Sequence, residues 1–420
     1  MAIKKLHKSK RILVITPVPI FPVFGGNRQR IKAICNALME NGFTLDLFYA
    51  GFDHPNEKHQ TFINGEMFEY HIPDGSVNGD LKKRIREIAN GLKIKTEQYK
   101  RRVLYGKGSS DHNQSLFDYK NIAKFELLSN QISTRKYRAV LLNYATHTHY
   151  FELFDEKTIK ILDTHDRLAN RYKIFTDHGE KPAGWKSLTP ADEKKAINKA
   201  DVVWAITGNE KDHFINMVEG RSPKVLTIPH LAAFCLLKRD EQFSNKRVLV
   251  VSGKGKINIS GINWFLENVW PEVISQVPGT ELGIAGSICE KKSELSDAED
   301  VNFLGRYNQP EEVYAKADIC INPMLYGTGL KIKTLEALSF GKRVVSTREG
   351  AAGLMRFSGK GLHCSDSASE WIKILKEYLG QESHCIEFHE ALRLEMGKMH
   401  NETLSRILWS VEPETHNLPE

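Results

Sequence analysis

Lys333 and Glu336 stand three residues apart, after a turn marked by Gly327 and Gly329 and ahead of Gly341, a helix-stopping residue. That spacing puts both side chains on one helical face, with the lysine nearer the N-terminus. A helix start carries unpaired N–H groups and a partial positive charge, so a phosphate suits it. Lys333 can meet such a phosphate while Glu336 accepts hydrogen bonds from ribose hydroxyls. The competing reading is a surface ion pair worth about 0.5 kcal/mol. Lys331 adds a second positive charge where the helix dipole alone favours acidic residues, and a bound anion would relieve that arrangement.

Other polar groups sit at chain positions of the same kind. Gly25 and Gly26 precede Arg28 and Arg30, so a backbone free of Cβ atoms can approach an anion that the arginines reach. A plain turn before a helix accounts for the same residues. His147 and His149, in NYATHTHY, and His165, in LDTHDR, follow apolar runs. His165 with Asp166 can orient a hydroxyl or act as a base, and Asp163 and Arg167 join them at one strand terminus. Each histidine taken singly also fits a structural role.

The elements that position these groups follow from hydrophobic periodicity. Residues 11–15 and 247–251 are short β-branched runs, each reading as the first buried strand of a sheet. After the first come a glycine turn, a helical pattern over residues 28–41 closed by Gly42, and the strand LDLFYA. AVLLNY, IKILDTH, DVVWAIT and KVLTIPH continue the strands of the first half. The second half runs VLVVSG, a helix through residues 264–270, ELGIAG, NFLG, ADICINP, a helix over residues 330–340, and VVST. Such alternation predicts two parallel doubly wound sheets, with a linker at residues 231–245.

The bulk properties bound the class. A chain of 420 residues suits two domains, since single cores stop growing at roughly 250–300 residues. Its longest apolar stretch, residues 12–24, is interrupted by Pro17, Pro19 and Pro22, so no membrane span is expected. The N-terminus is basic with no apolar core behind it, so a cytoplasmic location is expected. The six cysteines form no C-x-x-C pair and read as reduced core residues, with neither a zinc site nor a disulfide framework. The net charge of +7 does not by itself select a partner. Residues 81–108, however, carry ten Lys or Arg against two Glu, with Leu81, Ile85, Ile88 and Leu92 on one helical face. This segment reads either as a solvated helix or as a peripheral contact with an anionic membrane.

The stretch from Gly327 to Thr347 resembles the signature of family 4 glycosyltransferases of the GT-B fold. Their pattern G-[ST]-G-x-x-x-K-x-L-E-A appears as residues 327–337, and the following G-K-P-V-V-S-T as residues 341–347 with Arg343 in place of proline. The likeness extends upstream through SGKGKINISGINWFLENVWPEV and FLGRYNQPEEVYAKADICINP. Thr16 to Pro19 and Gly25 to Arg28 match more loosely. Many members carry a second glutamate where this chain has Thr328, which leaves sugar selection by that carboxylate open.

The resemblance implies an α/β chain of GT-B type, with two Rossmann-like doubly wound domains facing a central cleft. These are an acceptor-side domain over residues 1–235, a donor-side domain over 246–385, and a C-terminal helix over 386–420 that returns to the first. It implies a retaining transfer of a hexose-type sugar from a nucleotide-diphosphate sugar to a glycan, lipid-linked or protein acceptor. Lys333, His165 and Asp166 would be catalytic. Gly25, Gly26, Arg28, Gly253, Lys254, Thr328, Gly329, Lys331 and Glu336 would bind the donor. No D-x-D motif stands where a metal would be held, so no metal, no cofactor and no nucleic acid is expected. Two alternatives stay open: a nucleotide-sugar epimerase of the same fold, and a non-catalytic relative that binds a nucleotide or a partner chain. A nicotinamide dehydrogenase is disfavoured, because neither half has G-x-G-x-x-G after its first strand.

Overall fold

The computed structural model describes residues 8–20, 25–51, 59–63, 66–70, 112–181, 187–220, 223–237, 246–380 and 386–415. The basic segment 81–108 and Cys385 lie outside them. Contacts divide the chain into two compact units. One takes Met1–Phe24, Ile31–Ala205 and Lys211–Leu226, and the other takes Gly25–Arg30, Ile206–Glu210 and Thr227–Glu420.

In the first unit the apolar runs become β1 (Arg11–Thr16), β2 (Thr44–Tyr49), a hairpin of β3 (His59–Ile63) and β4 (Glu66–Tyr70), β5 (Ala139–Asn143), β6 (Ile159–Asp163), β7 (Val202–Ala205) and β8 (Lys224–Thr227). Apart from the antiparallel hairpin they form one six-stranded sheet in the order β2-β1-β5-β6-β7-β8. The pairs of β1 with β2 and β5, and of β6 with β5 and β7, are parallel. A parallel sheet is covered on both faces, which explains why every residue of β5 is buried. Gly42, with φ of 82°, closes the helix Gly26–Glu40 and turns the chain into β2.

The second unit repeats the plan with β9 (Lys246–Val251), β10 (Thr280–Ala285), β11 (Val301–Gly305), β12 (Ile319–Asn322), β13 (Arg343–Ser346) and β14 (Leu362–Cys364). All pair in parallel, in the order β11-β10-β9-β12-β13-β14. Period-two alternation distributes β9 between two cores. Leu249 and Val251 join one with Leu335, Leu338 and Phe357, while Val248 and Val250 join the other with Phe265, Trp270 and Trp371. Each such aliphatic side chain contributes about 2 kcal/mol on burial. The last helix, Ile386–Val411, adds Leu392, Met396 and Met399 to the first of these cores. It is also clamped by charge, since Arg356 bonds Glu395 at 2.7 Å and Glu402 at 3.0 and 3.2 Å, and Lys360 bonds Glu395 at 2.7 Å.

Three sequence expectations are corrected. The helix placed over residues 330–340 spans only Ile332–Ser339, because Gly329 with φ of 70° and Lys331 in a non-helical conformation delay its start. The helix through residues 264–270 is two helices, Lys256–Asn268 and Trp270–Gln276, broken at Val269 just before Pro271. Among the described cysteines only Cys320 is buried, and Cys235 is exposed, since its backbone N–H is tied to the Ser339 carbonyl while its side chain faces outward.

The two histidines after β5 are packed inside the first unit. They lie on the 3-10 helix Ala145–Leu153, where His149 is 5% exposed and its ring lies tilted against that of Tyr150, centroids 4.3 Å apart. Neither His149 ring nitrogen has a hydrogen-bond partner among the described residues. Burial, helped by Lys120 and Lys199 and opposed by Glu152, pulls the His149 pKa down to about 4. An unfolded histidine titrates near 6.5, so the unfolded chain binds more protons between these values and stability falls as pH drops through that window. Between pH 7 and 4.5 the wild type should lose roughly 2–3 kcal/mol more than His149→Phe. Urea unfolding of both proteins at the two pH values checks this, and parallel losses would contradict it.

Candidate functional site

In the second sheet the strand order reverses between β9 and β12, and ligands of open α/β sheets collect outside the carboxyl ends of the strands at such a point. Residues 252–255 leave β9 there and residues 323–331 leave β12. The helix Lys256–Asn268 lies close against the second loop because Gly261 has no Cβ; one placed there would stand 2.4 Å from the Pro323 carbonyl oxygen. Asn322 donates to Thr334 Oγ1 at 2.8 Å and to the Gly350 carbonyl at 3.1 Å, and the Thr334 hydroxyl donates to the same carbonyl at 2.8 Å. These bonds pin the start of the helix Ile332–Ser339 to the end of β12. A small cavity beneath it is lined by Val251, Tyr314, Cys320, Asn322, Lys333 and Thr334.

Lys333 and Glu336 do meet, Nζ to Oε2 at 2.7 Å. Lys333 Nζ also donates to the Tyr307 oxygen at 2.9 Å, and Tyr314 donates to Glu336 Oε2 at 2.9 Å. Gln29, one of the residues whose contacts place them in this unit, donates to Glu336 Oε1 at 3.2 Å. Burial alone would lower the Lys333 pKa, but Glu336 and Tyr307 outweigh it and the net shift is upward, so the ammonium stays charged. Burial first, and then Glu336, raise the pKa of Tyr314 well above that of a free phenol, which keeps Tyr314 a neutral donor. A carboxylate offers about four acceptor positions, so after three bonds Glu336 keeps capacity for a ligand hydroxyl. Lys333 is 31% exposed and Glu336 12%, which leaves the pair reachable from solvent yet shielded.

The second lysine behaves differently. Lys331 is the residue before the helix rather than part of its first turn. Its ammonium is buried under the glycine loop, donating to the Thr328 carbonyl at 3.0 Å and pairing with Glu349 at 2.7 Å. Its charge is therefore balanced by Glu349, so the relief that the sequence reading assigned to a bound anion is already supplied by the protein. Gly327 passes over this pair, since a Cβ there would lie 3.2 Å from Lys331 Nζ. Lys254 also has a protein partner: it is exposed and bonds Glu290 at 3.0 Å, which Arg306 shares. Gly253 stands beside it, where a Cβ would touch only Asn258 and Ser287.

Gly25 has φ of 93°, and a Cβ on Gly26 would fall 2.5 Å from Cδ1 of Ile332, so the space left by Gly26 is filled by that side chain. Arg28 is half-buried, and its backbone N–H bonds the Asn27 side chain. Arg30 is fully buried and donates to the Pro229 carbonyl at 3.0 Å. Arg343, where the family has proline, lies over the rings of Tyr378 and Phe388 at 4.5 and 5.0 Å, a cation–π sandwich that gives the substitution a structural role.

In the first unit, register pairs Asn143 of β5 with Asp163 of β6, so the polar residues at both strand ends converge. His165 Nε2 lies 2.7 Å from Asn143 Oδ1 and 3.3 Å from Asp163, and its ring stacks on Tyr144 at 4.4 Å. His165 and Tyr144 have φ of 59° and 69°, left-handed values that cost non-glycine residues about 1–3 kcal/mol each. Asp166 turns to Arg171 at 2.6 Å instead of to His165, and Arg167 is exposed. His165 is thus grouped with Asn143 and Asp163, and Asp166 pairs with Arg171.

Sequence reasoning did not single out Tyr307, Tyr314, Gln29 or Glu349. All come from other elements than the helix they serve, and a tyrosine closing the short helix Glu311–Tyr314 carries no spacing signal toward a glutamate 22 residues later. The Lys331–Glu349 pair should be coupled, because Lys331 is 5% exposed. Removing one partner alone leaves the other charge poorly compensated, so a double-mutant cycle of Lys331→Met and Glu349→Gln should return roughly 1 kcal/mol or more. A coupling near zero in chemical unfolding would show the pair to be screened.

Residues 245–381 match the family model described as "Glycosyl transferases group 1". An uncharacterized 44.6 kDa protein in the cps region of Klebsiella pneumoniae is 38% identical over 105 residues, which span 23% of this chain and 27% of that protein. A glycosyltransferase structure from Rickettsia africae superposes with a TM-score of 0.59 at 13% identity, over 97% of this chain and 99% of that one. The pneumococcal O-GlcNAc transferase GtfA, solved with UDP and GlcNAc, does so with a TM-score of 0.50 at 14% identity, over 70% of this chain and 60% of that one. Among the described residues no helix is long and apolar enough to cross a membrane. Two Rossmann-like α/β units give this chain the GT-B fold of those glycosyltransferase structures, and residues 245–381 of the second match the group 1 model.

Proposed function

We propose that the protein transfers a hexose-type sugar, with retention of configuration and without a metal ion, from a nucleotide-diphosphate sugar to a hydroxyl of a glycan, lipid-linked or protein acceptor. The observation that carries this reading is the Lys333–Glu336 pair at the switch point of the second sheet, inside the segment that matches the family. Glu336, with an acceptor position left over, suits a ribose hydroxyl. Lys333, held cationic by Glu336 and Tyr307, suits the departing diphosphate.

As the bond from anomeric carbon to phosphate breaks, negative charge grows on the leaving diphosphate, and a fixed cation binds that state more tightly than the ground state. The acceptor hydroxyl attacks from the face the diphosphate leaves. On this reading His165 and Asp166 serve the acceptor hydroxyl, with His165 fixed by Asn143 and Asp163. The relative from a cps region supports a place in polysaccharide or glycan biosynthesis.

Glu336 is bonded to three side chains, so truncation to alanine would disturb the fold as well as the ligand; Glu336→Gln is the cleaner variant. It should bind the nucleotide sugar roughly ten- to a hundredfold more weakly, about 1–3 kcal/mol. Unchanged affinity in calorimetry would make Glu336 structural. Lys333→Ala should lower kcat about a hundredfold with a smaller change in donor affinity. An unaltered kcat would remove it from the reaction. Transfer should continue in excess chelator; activity lost there and restored by magnesium or manganese would overturn the metal-independent route.

A further inference from the structure

Glu349 stands on the turn after β13, between two residues whose backbones are tied down. The N–H of Arg348 donates to Asp366 at 2.8 Å, and that of Gly350 to the Thr347 hydroxyl at 2.9 Å. That hydroxyl donates in turn to the Met324 carbonyl in the loop leaving β12, and the Gly350 carbonyl accepts from Asn322 and Thr334 at 3.1 and 2.8 Å. The turn is therefore bound to the same strand end and helix start that carry Lys333. Its carboxylate reaches the glycine loop: Oε1 pairs with Lys331 at 2.7 Å, and a Cβ on Gly327 would stand 3.5 Å from it. Thr328 in that loop is uncharged, and the negative group beside it comes from Glu349, twenty-one residues further along the chain.

One oxygen of this carboxylate is used and the other is not. Oε1 faces a lysine that is 5% exposed, while the Glu349 side chain is 31% exposed and its Oε2 has no hydrogen-bond partner among the described residues. The neighbouring Arg348 side chain pairs with Asp366 at 3.6 Å and does not cover it. A carboxylate offers about four acceptor positions, so most of them face outward unfilled. A bare carboxylate here would repel a phosphate bound at Lys333. The ion pair with Lys331 has no net charge, and the buried ammonium holds the oxygens in place, so a ligand does not have to order the side chain.

We propose that Glu349 is the sugar-selecting residue of the donor site, its Oε2 accepting hydrogen bonds from hydroxyl groups of the sugar ring. This rests on the donor site proposed above. With the ribose at Glu336 and the diphosphate at Lys333, the ligand runs toward the helix N-terminus, those three residues giving about 4.5 Å of rise. The sugar is joined to the far phosphate, so it lies beyond the helix start, where the glycine loop and Glu349 stand. Ring hydroxyls suit a carboxylate there, because they donate and it only accepts, and bonds to a charged acceptor are the stronger kind. A nucleoside diphosphate without the sugar reaches Lys333 and Glu336 but not Glu349, which separates this contact from the rest of the site.

UDP, GDP and ADP are titrated by calorimetry into the full chain beside UDP-glucose, GDP-mannose and ADP-glucose, for the wild type and for Glu349→Gln. The glutamine keeps an oxygen for Lys331 and removes the charge. The variant should bind the nucleotide sugar roughly tenfold more weakly, and the matching nucleoside diphosphate to within about twofold of the wild type. An equal loss for both ligands would make Glu349 a support of the loop, and no loss for either would place it outside the site; each result overturns the proposal. With the wild type alone, saturation-transfer NMR should mark the sugar-ring protons as strongly as those of the ribose. A silent sugar ring beside a marked ribose also overturns it, whether or not the variant folds. Failure of every diphosphate and every nucleotide sugar to bind the wild type would instead remove the donor site itself, and the sugar contact with it.

Discussion

The arrangement of the second unit depends on how positive charge is distributed at the head of one short helix. Lys331 and Lys333 lie two residues apart, next to a helix end that is itself electropositive, and a lone pair of lysines there would repel. The chain settles this by sending them in opposite directions. Lys331 turns down beneath the glycine loop to Glu349, and Lys333 turns along the helix to Glu336. The first pairing fixes the loop and the second leaves a charged group at the surface. Gly327, Asn322 and Thr334 are all constrained by this division, because loop, strand end and helix start must meet at the same few atoms.

The same economy of position appears at the strand ends of the first unit. His165 occupies a left-handed backbone conformation that a non-glycine residue adopts only when its surroundings over-determine it. Here they do: Asn143, Asp163 and the face of Tyr144 hold the ring from three sides. The histidine is kept at that cost where the chain leaves β6, one strand beyond the switch point between β1 and β5.

The elements were largely legible in the sequence, because a buried parallel strand must be a β-branched run and a tight exit from it must contain glycine. Residues 11–15 and 247–251 announced both sheets, and the glycine loop announced the helix after β12. The start of that helix was not legible. Whether Lys331 belongs to the first turn depends on Glu349, eighteen residues away on another loop, and no local periodicity carries that information. The site was legible in its two central residues, since i and i+3 spacing is a local geometric fact. Its surroundings were not: Tyr307, Tyr314 and Gln29 are brought in by sheet order and by the close fit of Gly26 on Ile332, which are properties of the folded chain. At His165, adjacency in sequence pointed to Asp166 but carried no signal for Asn143, which strand register brings beside Asp163 and the histidine, or for Arg171, which pairs with Asp166.

A cation that is to assist a leaving phosphate must stay charged in a partly dry place and must not be neutralised by its own partner. Lys333 meets both conditions through the geometry of Glu336. That carboxylate is shared among Lys333, Tyr314 and Gln29, so its charge is spread over several donors and is not spent on the lysine alone. Tyr307, whose phenol burial keeps from ionising, adds an acceptor to the ammonium without adding a negative charge. The ammonium is thus held in one orientation, which on the proposed reading leaves little reorganisation for the step that moves charge onto the phosphate. An isolated surface ion pair of the same two residues would supply the charge but not the fixed direction, so in the proposed reaction the neutral tyrosines count for as much as the two charged residues do.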